Sequence, residues 1–392
     1  MGEIAQITSG GTPDRSEPSY WNGTIPWVTT GEIQFNTITD TAEKITEAGL
    51  KNSSAKRFPP GTLLMAMYGQ GKTRGQVAKL GTEATTNQNS AAILLGDSFD
   101  PDFYFHFLSW QYESIREFGH SGGISHLNAG LLKQISVPVA PEREQKKIAA
   151  VLATWNEAIA ATERLLTNSR KQKRALMQSL IVRRSRSAAT WRHCHLREVA
   201  NRIQRDSDGS KHPILMISSG SGFVRQDEKY SRFMAGKSLD DYILLKKGEF
   251  AYNKGNSKLY EFGCIFPLED YAQGLVPHVY VCFSLSDECN PAFFKHLFEA
   301  DYLHDQLGAL VNTGVRNNGL LNIRPADFMN VRIPVPPMDE QHAIAKVLDV
   351  ATAEIALRER ELAALQQQKR ALMQQLLTGK RRVRVPASEA TP

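Results

Sequence analysis

Long apolar runs are absent from this sequence, and cysteine is rare in it. No apolar run reaches the roughly 18 residues that a membrane-spanning helix needs. The first residues also lack the charged segment and apolar core of a signal peptide. The only 4 cysteines, Cys194, Cys264, Cys282 and Cys289, form no closely spaced pair. We therefore predict a soluble, cytoplasmic protein with reduced thiols.

An excess of one charge is also lacking. The formal net charge is +6 over 392 residues, which is compatible with binding nucleic acid but does not establish it. A chain of this length suggests two or three domains.

Three short segments partly match the sequence motifs of catalytic or metal sites, but each match is incomplete. Residues 66–73 (AMYGQGKT) are close to a Walker A loop, but a turn and a strand are predicted after them where a phosphate loop needs a helix. Residues 290–293 (NPAF) nearly match an amino-methyltransferase loop, but no glycine-rich AdoMet motif accompanies them, and residues 100–103 repeat them as a helix cap. Residues 193–195 (HCH) lack a second ligand pair at zinc spacing. We predict no catalytic residue, metal or cofactor in this chain.

What the sequence does contain is one stretch that occurs twice. Residues 137–181 and 333–377 align without a gap, and about half of the paired positions are identical, which indicates duplication. Apolar residues recur in each copy at alternating spacings of four and three, typical of a coiled coil. Each copy is predicted to form a helix of about 40 residues, roughly 60 Å long. The predicted packing positions are Ile148, Leu152, Trp155, Ile159, Leu166, Leu176, Leu180, Ile344, Leu348, Ile355, Leu362, Leu365, Leu372 and Leu376. Two core helices of a larger bundle are the alternative, but no further helices of similar length are predicted.

The remaining sequence predicts two mixed globular domains, residues 1–140 and 191–336. Short apolar runs bounded by glycine predict strands, and Asp100 and Asn290, each followed by proline, predict helix starts. The domains follow one plan in different sequences, so the predicted fold is α+β, built as a tandem pseudo-repeat of domain and long helix. The long helices are assigned to residues 141–184 and 337–378, a basic linker to 185–190, and a flexible tail to 379–392.

This arrangement resembles the specificity subunit of type I restriction–modification systems over nearly its full length. The most specific marks are P-x-x-E-Q at residues 141–145 and 337–341, and K-R-A-L-M-Q-x-L at residues 173–180 and 369–376. Members of the family carry two target recognition domains separated by two conserved helices, which form an antiparallel coiled coil. This sequence begins almost at the opening motif of the first domain, where members of the family commonly carry a few more residues.

The resemblance implies a set of partners. Each domain would read one half of a bipartite site in double-stranded DNA, and two adenine methyltransferase subunits, which bind AdoMet, would dock on the chain. Translocating restriction subunits would join the full complex. Because the two domains differ in sequence, we expect two different half-sites separated by an unread spacer of fixed length.

Polar loops in both domains hold the residue types that read base edges. Arg and Lys suit guanine, and Asn and Gln suit adenine, although the same residues are also ordinary material for turns. The predicted DNA-binding residues of the first domain are Gln70, Lys72, Arg74, Asn87, Gln88, Asn89, His126 and Asn128. Those of the second domain are Asn253, Lys254, Asn256, Lys258, Arg316, Asn317 and Asn318.

Two other classes of function remain open at this stage. A stand-alone nuclease or methyltransferase with duplicated domains is disfavoured by the missing acidic metal cluster and AdoMet motifs. A coiled-coil scaffold that does not read DNA would fail to bind a specific sequence in the presence of competitor DNA at moderate salt.

Overall fold

The computed structural model describes residues 1–69, 71–118, 126–229, 241–255, 257–311 and 321–384. The chain divides into two compact units. The first unit is Met1–Glu163 together with Arg360–Pro392, and the second unit is Arg164–Glu359. Each unit therefore contains one globular region and a part of each long helix.

The first unit is built on a five-stranded sheet and a smaller three-stranded one. Its strands are β1 (Ala5–Ser9), β2 (Trp21–Val28), β3 (Thr37–Ile38), β4 (Glu43–Ile45), β5 (Leu63–Ala66), β6 (Val77–Leu80), β7 (Thr85–Thr86) and β8 (Ser90–Leu95). The larger sheet has the order β1-β8-β5-β6-β3, and the smaller has the order β4-β2-β7. The apolar runs that predict strands coincide with β2, β5, β6 and β8, because their residues face a core on at least one side.

The helices of the first unit lie mostly after the sheet in sequence. They are α1 (Glu47–Lys51), α2 (Pro101–Trp110), α3 (Tyr112–Phe118), α4 (Ala129–Lys133) and the first part of α5 (Glu142–Met177), with short 3-10 turns at Pro18–Tyr20 and Thr30–Glu32. Asp100 caps α2 by accepting a hydrogen bond from the Phe103 amide at 2.8 Å. The helix predicted to start at Asp100 is α2, which ends at Trp110 and is followed after Gln111 by α3.

The second unit repeats the sheet of the first. Its strands are β9 (Arg192–His195), β10 (Ala200–Ile203), β11 (Leu215–Ser218), β12 (Gly222–Arg225), β13 (Ile243–Lys246), β14 (Phe250–Asn253), β15 (Cys264–Pro267), β16 (Gln273–Val276), β17 (Val281–Leu285) and β18 (Arg332–Val335). The order β10-β17-β14-β15 matches β1-β8-β5-β6, and all neighbours in both runs are antiparallel. The architecture is α+β, as predicted.

The helices of the second unit include a continuation of α5 beyond its predicted end. They are a π-helical turn at Gln178–Arg183, α6 (Arg184–Ser187), α7 (Leu196–Val199), α8 (Gln226–Lys229), α9 (Pro291–Glu299), α10 (His304–Leu310), α11 (Pro325–Met329) and the first part of α12 (Met338–Leu377). The predicted linker at residues 185–190 is thus helical through Ser187. Ser185 and Trp191 are buried, so packing orders a segment whose composition suggested a linker.

Part of the predicted tail is also packed. The Arg382 guanidinium binds the Glu144 carboxylate, with Nε at 2.7 Å from Oε1, and Val383 packs against the core of the first unit. These contacts tie the start of the predicted tail to the first unit as far as Val383, and the charged composition of the segment gave no sign of this partner carboxylate.

Within each unit, residues of both long-helix segments belong to one hydrophobic core. In the first unit, Ile148 and Leu152 near the start of α5 join Met373 and Leu376 near the end of α12. In the second unit, residues from the end of α5 and the turn after it join residues from the start of α12, namely Met177, Ile181, Ile344 and Leu348. All of the predicted packing positions are buried or half-buried.

Candidate nucleic-acid interface

Three loops of the first unit meet beside the end of β5. The Met67 amide donates a hydrogen bond to the Asn89 carbonyl at 2.9 Å, and the Met67 carbonyl accepts one from the Leu127 amide at 2.9 Å. Met67 begins the loop that holds Lys72, Asn89 immediately precedes β8, and Leu127 lies between His126 and Asn128. The tertiary structure therefore gathers predicted DNA-binding residues from three distant parts of the sequence.

The loop after β5 depends on glycine. Gly69, Gly71 and Gly75 have φ angles of +132°, +68° and +85°, which L-residues rarely adopt. The loop returns into strand β6 rather than into a helix, as predicted, so a Walker A phosphate site is not formed.

Some of the predicted residues of the first unit are accessible there. Lys72, Gln88, Asn89 and Asn128 are exposed, and His126 is half-buried. Gln88 Oε1 accepts a hydrogen bond from Thr12 at 2.5 Å, and Asn128 Oδ1 caps α4 by accepting from the Leu131 amide at 2.9 Å. Both side chains are therefore held in place at the surface.

Two predicted residues of the first unit, Arg74 and Asn87, are buried. Arg74 is 6% exposed, and Asn87 is 9% exposed. Asn87 Oδ1 accepts from the Asn89 amide at 2.9 Å and from Ser90 Oγ at 3.2 Å, so it stabilises the turn before β8. Their residue types suit base recognition, but burial removes them from a DNA-facing surface.

The sequence interpretation missed an aromatic residue at this place. The Tyr68 ring stacks on the His126 ring, with centroids 4.8 Å apart and planes 10° apart, and Tyr68 is 41% exposed. An exposed aromatic face beside cationic and amide side chains can stack on a base. Its signal in the sequence is a tyrosine directly before a glycine-rich polar loop.

The second unit repeats the backbone arrangement. The Leu321 amide donates to the Lys254 carbonyl at 3.0 Å after β14, as the Leu127 amide donates to Met67 after β5. Lys254 Nζ also donates to the Ile323 carbonyl at 3.2 Å, and Asn253 Oδ1 accepts from the Gly255 amide at 3.0 Å. These half-buried side chains shape the loop, while Lys258 is exposed. The predicted residues Gln70, Asn256, Arg316, Asn317 and Asn318 lie outside the described residues.

The described residues offer no metal site. Within the described ranges, no group of three or more His, Cys, Asp or Glu side chains is arranged to hold a metal ion. His193, Cys194 and His195 lie on β9, an ordinary strand paired with β18. All four cysteines are buried free thiols, and burial raises the pKa of Cys264, Cys282 and Cys289 to about 12. None of the helices in the described part of the chain combines the length and apolarity needed to cross a membrane.

Comparison with known proteins decides the family. The family described as the type I restriction modification DNA specificity domain matches residues 1–168 and 278–367, more than half of the chain. The chain belongs to this family. Specificity subunits are non-catalytic components of type I restriction–modification systems, which agrees with the prediction that this chain is not an enzyme.

Individual specificity subunits match over different lengths. The type I restriction enzyme MjaIX specificity subunit of Methanocaldococcus jannaschii is 22% identical over 409 residues, covering 97% of this chain and 92% of that relative. The EcoR124I/EcoR124II specificity subunit of Escherichia coli is 25% identical over 158 residues, 39% of each chain. The solved S subunit from M. genitalium has a TM-score of 0.55 at 15% identity, covering 96% of this chain and 94% of that one. This structural likeness shows a shared fold.

The P-x-x-E-Q motifs that mark the resemblance have a structural role in each unit. The Gln145 amide group donates to the Ala140 carbonyl at 2.7 Å, and its oxygen accepts from the Asp100 amide at 2.8 Å. Gln341 makes the same contacts with the Pro336 carbonyl at 2.9 Å and the Asn290 amide at 2.7 Å. Each buried glutamine therefore joins the start of a long helix to the cap of a domain helix.

The glutamates of these motifs bind the chain that follows the other long helix. In the first unit, Arg382 holds the pKa of the Glu144 carboxyl below its ordinary value through its hydrogen bonds. In the second unit, Glu340 Oε2 accepts from Trp191 Nε1 at 2.8 Å and lies 3.0 Å from the Arg184 guanidinium. The motif thus anchors both the domain and the neighbouring helix end.

Proposed function

We propose that this chain is the DNA sequence-recognition subunit of a type I restriction–modification complex, and that each unit reads one half of an asymmetric bipartite site. The observation that carries the proposal is the repeated backbone hydrogen bond after β5 and after β14, from Leu127 and Leu321. In each unit this hydrogen bond lies beside a polar loop that follows the corresponding strand of the sheet, and the two loops are unrelated in sequence. Two readers of one design but different side chains suit two different half-sites.

The exposed residues of these loops are the proposed readers. In the first unit they are Lys72, Gln88, Asn89, Asn128 and the Tyr68–His126 pair, and in the second unit Lys258. Gln70, Asn256, Arg316, Asn317 and Asn318 remain proposed readers on their residue type alone. The globular domains are assigned to residues 1–140 and 191–336.

The long helices are proposed to set the spacing between the half-sites. Helices α5 and α12 have 36 and 40 residues, and within each unit their segments contribute to the same hydrophobic core. An antiparallel coiled coil formed along both helices would be a stiff spacer. Because base edges return to the same phase after each helical turn of about 10.5 base pairs, a fixed protein spacing selects a fixed DNA spacing.

The outer surface of the long helices is the proposed docking surface for two adenine methyltransferase subunits. Val347, Val350 and Leu357 on α12 are 45%, 64% and 55% exposed, and they lie close to one face of the helix. Apolar side chains at this spacing suit packing against partner helices. AdoMet would bind the partners, which must flip the target adenine out of the duplex, and restriction subunits would join the same complex.

The test is a map of methylated adenines. The chain is expressed with its methyltransferase subunit in a methylation-free host, and the genome is sequenced by a method that detects methyladenine. We expect two short, different half-sites at a constant gap. A single continuous symmetric motif, or methylation by the partner alone, would contradict the proposal.

The same preparation separates the alternative functions. Nuclease or methyltransferase activity of the purified chain alone would favour a duplicated enzyme. Absence of methylation with every methyltransferase partner, together with no sequence-specific binding in competitor DNA, would favour a scaffold that does not read DNA.

A further inference from the structure

Two side chains of helix α3 in the first unit form hydrogen bonds with the backbone of the loop that contains Lys72. The Tyr112 hydroxyl donates a hydrogen bond to the Lys72 carbonyl. The Arg116 guanidinium donates to the Gly71 carbonyl at 2.6 Å through Nη2 and to the Tyr112 hydroxyl at 2.8 Å through Nη1. Two successive carbonyls of an exposed loop are therefore fixed by two side chains from one helix.

Tyr112 and Arg116 are themselves supported by packing of helix α3 and by Phe35. Ile115, which lies between them in sequence, is 1% exposed in the core of the first unit. The Tyr112 and Phe35 rings are perpendicular with centroids 5.1 Å apart, and the Arg116 guanidinium lies 5.2 Å from the Tyr112 ring centre. The loop is thus bound to a helix that is anchored in the core of the first unit.

The end of the loop fits closely against the same helix. A Cβ atom at Gly75 would lie 3.0 Å from Arg116 Cγ and 3.6 Å from Tyr112 Cδ2, and Gly75 has a φ angle of +85°. The backbone conformation favours glycine here, and a Cβ would crowd the Arg116 side chain. The end of the loop therefore packs directly against Tyr112 and Arg116.

We propose that Tyr112 and Arg116 are positioning residues, which pre-organise the Gly71–Lys72 backbone so that Lys72 reads the first half-site. The inference rests on the proposed function. A lysine on a glycine-containing loop would otherwise lose backbone freedom upon binding, and this entropy loss weakens affinity. Fixing the two carbonyls before DNA arrives removes that loss. Neither Tyr112 nor Arg116 needs to touch DNA.

The first test compares variants of the assembled complex on one duplex. The probe carries the bipartite site defined by methylation mapping, and binding is measured at fixed moderate salt. Tyr112→Phe removes only the hydroxyl and keeps the ring against Phe35. The hydroxyl donates to the Lys72 carbonyl and accepts from Arg116, and we expect its loss to weaken binding about threefold to tenfold, the range for the hydrogen bond to Lys72. Arg116→Met should act in the same direction, whereas the control Arg57→Met, which removes an arginine paired with Glu47 and Glu83, should not.

The second readout locates the effect. The wild-type and Tyr112→Phe complexes are compared on duplexes with single substitutions in either half-site. We expect discrimination to fall in the first half-site and to remain unchanged in the second. Equal weakening on every duplex would mean a general loss of folding or phosphate binding, and it would overturn the proposal.

A double-mutant cycle decides whether Tyr112 acts through Lys72. Tyr112→Phe in a Lys72→Ala background should cost little further affinity, because the side chain that it positions is already gone. Fully additive losses, or a Lys72→Ala variant that binds like the wild type, would overturn the inference. A wild-type complex that does not distinguish the duplexes would instead contradict the proposed function, so the two failures can be told apart.

Discussion

Each unit has a lysine at the same position of the repeat, buried in the second unit (Lys173) and half-buried in the first (Lys369), but the partners of the two lysines differ. Lys173 of the second unit donates to both oxygens of Glu299, at 2.5 and 2.7 Å. Lys369 of the first unit donates to Asn156 Oδ1, and burial lowers its pKa. The ammonium group of Lys173 is thus paired with a carboxylate, whereas that of Lys369 is paired with a neutral amide.

Each unit also buries a histidine at a matching position, and the neighbours of the two histidines differ in the same way. His296 is fully buried, with Nδ1 at 3.1 Å from the Glu299 carboxylate and Nε2 at 2.9 Å from the Asp349 carboxylate. His106 of the first unit is 4% exposed, and burial followed by the nearby charge of Lys369 lowers its pKa to about 4. Ser109 and Ala153 stand where the second unit has Glu299 and Asp349.

The difference teaches that a repeated motif preserves the position of a buried group and not its electrostatic environment. The lysine belongs to the K-R-A-L-M-Q run shared by both helices, whereas its partner in the second unit comes from the divergent domain. Because the partners differ while the lysine is kept, we expect the two units to respond differently to pH.

The largest expected effect comes from breaking the charged cluster. Glu299→Gln leaves Lys173 and His296 without their shared carboxylate, and we expect the second unit to lose about 3 kcal/mol of stability. Urea unfolding followed by hydrogen exchange of peptides from each unit measures the change. Ser109→Ala at the matching position of the first unit is the control and should change stability by less than about 0.5 kcal/mol. Equal losses of stability for Glu299→Gln in the second unit and Ser109→Ala in the first would contradict the proposed difference between the two clusters.

A pH titration should separate the units next. The folded pKa of His106, about 4, lies below its ordinary 6.5, so its contribution is present above pH 6.5 and is lost as pH falls toward 4. Burial opposes ionisation of Glu299, but hydrogen bonds and charges from His296 and Lys173 lower its pKa from 4.5 to about 2. Its contribution is therefore lost only between pH 4.5 and 2.

We accordingly expect the first unit to lose about 2 to 3 kcal/mol between pH 6.5 and 4, before the second unit responds to Glu299. Hydrogen exchange of peptides from each unit across this pH range measures the order. His106→Gln should flatten the loss in the first unit and leave the second unchanged. Persistence of the full loss in this variant would assign it to other groups.

The smallest effect would come from making the units more alike. Asn156→Asp places a carboxylate against Lys369 with little change in volume, and we expect about 1 kcal/mol of added stability at neutral pH. The gain should disappear as pH falls through the pKa of the new aspartate. Measured stability that is unchanged or lower at pH 7 would mean that the cost of burying the charge exceeds the attraction.

Sequence patterns predicted the long helices and most strands because these elements depend on local periodicity. Residues 148, 152, 344 and 348 fall on one helical face whatever they pack against. Loop function was harder to predict, since residue type does not reveal exposure: Asn87 stabilises a turn, Arg74 is buried, and Tyr68 is presented at the surface. The supporting role of Tyr112 and Arg116 depends on contacts about 40 residues away in sequence.

By itself, the sequence determined the duplication, the two long helices, the α+β class and the resemblance to specificity subunits. All of these follow from repeated motifs and from short-range spacing of apolar residues. Only the tertiary structure decided which polar side chains are buried and which are exposed. Arg382 meets Glu144 across 238 residues, and Lys173 meets Glu299 across 126. Such partners are set by how the chain returns on itself, because a buried charge is stable only where folding brings a complementary group within hydrogen-bonding distance.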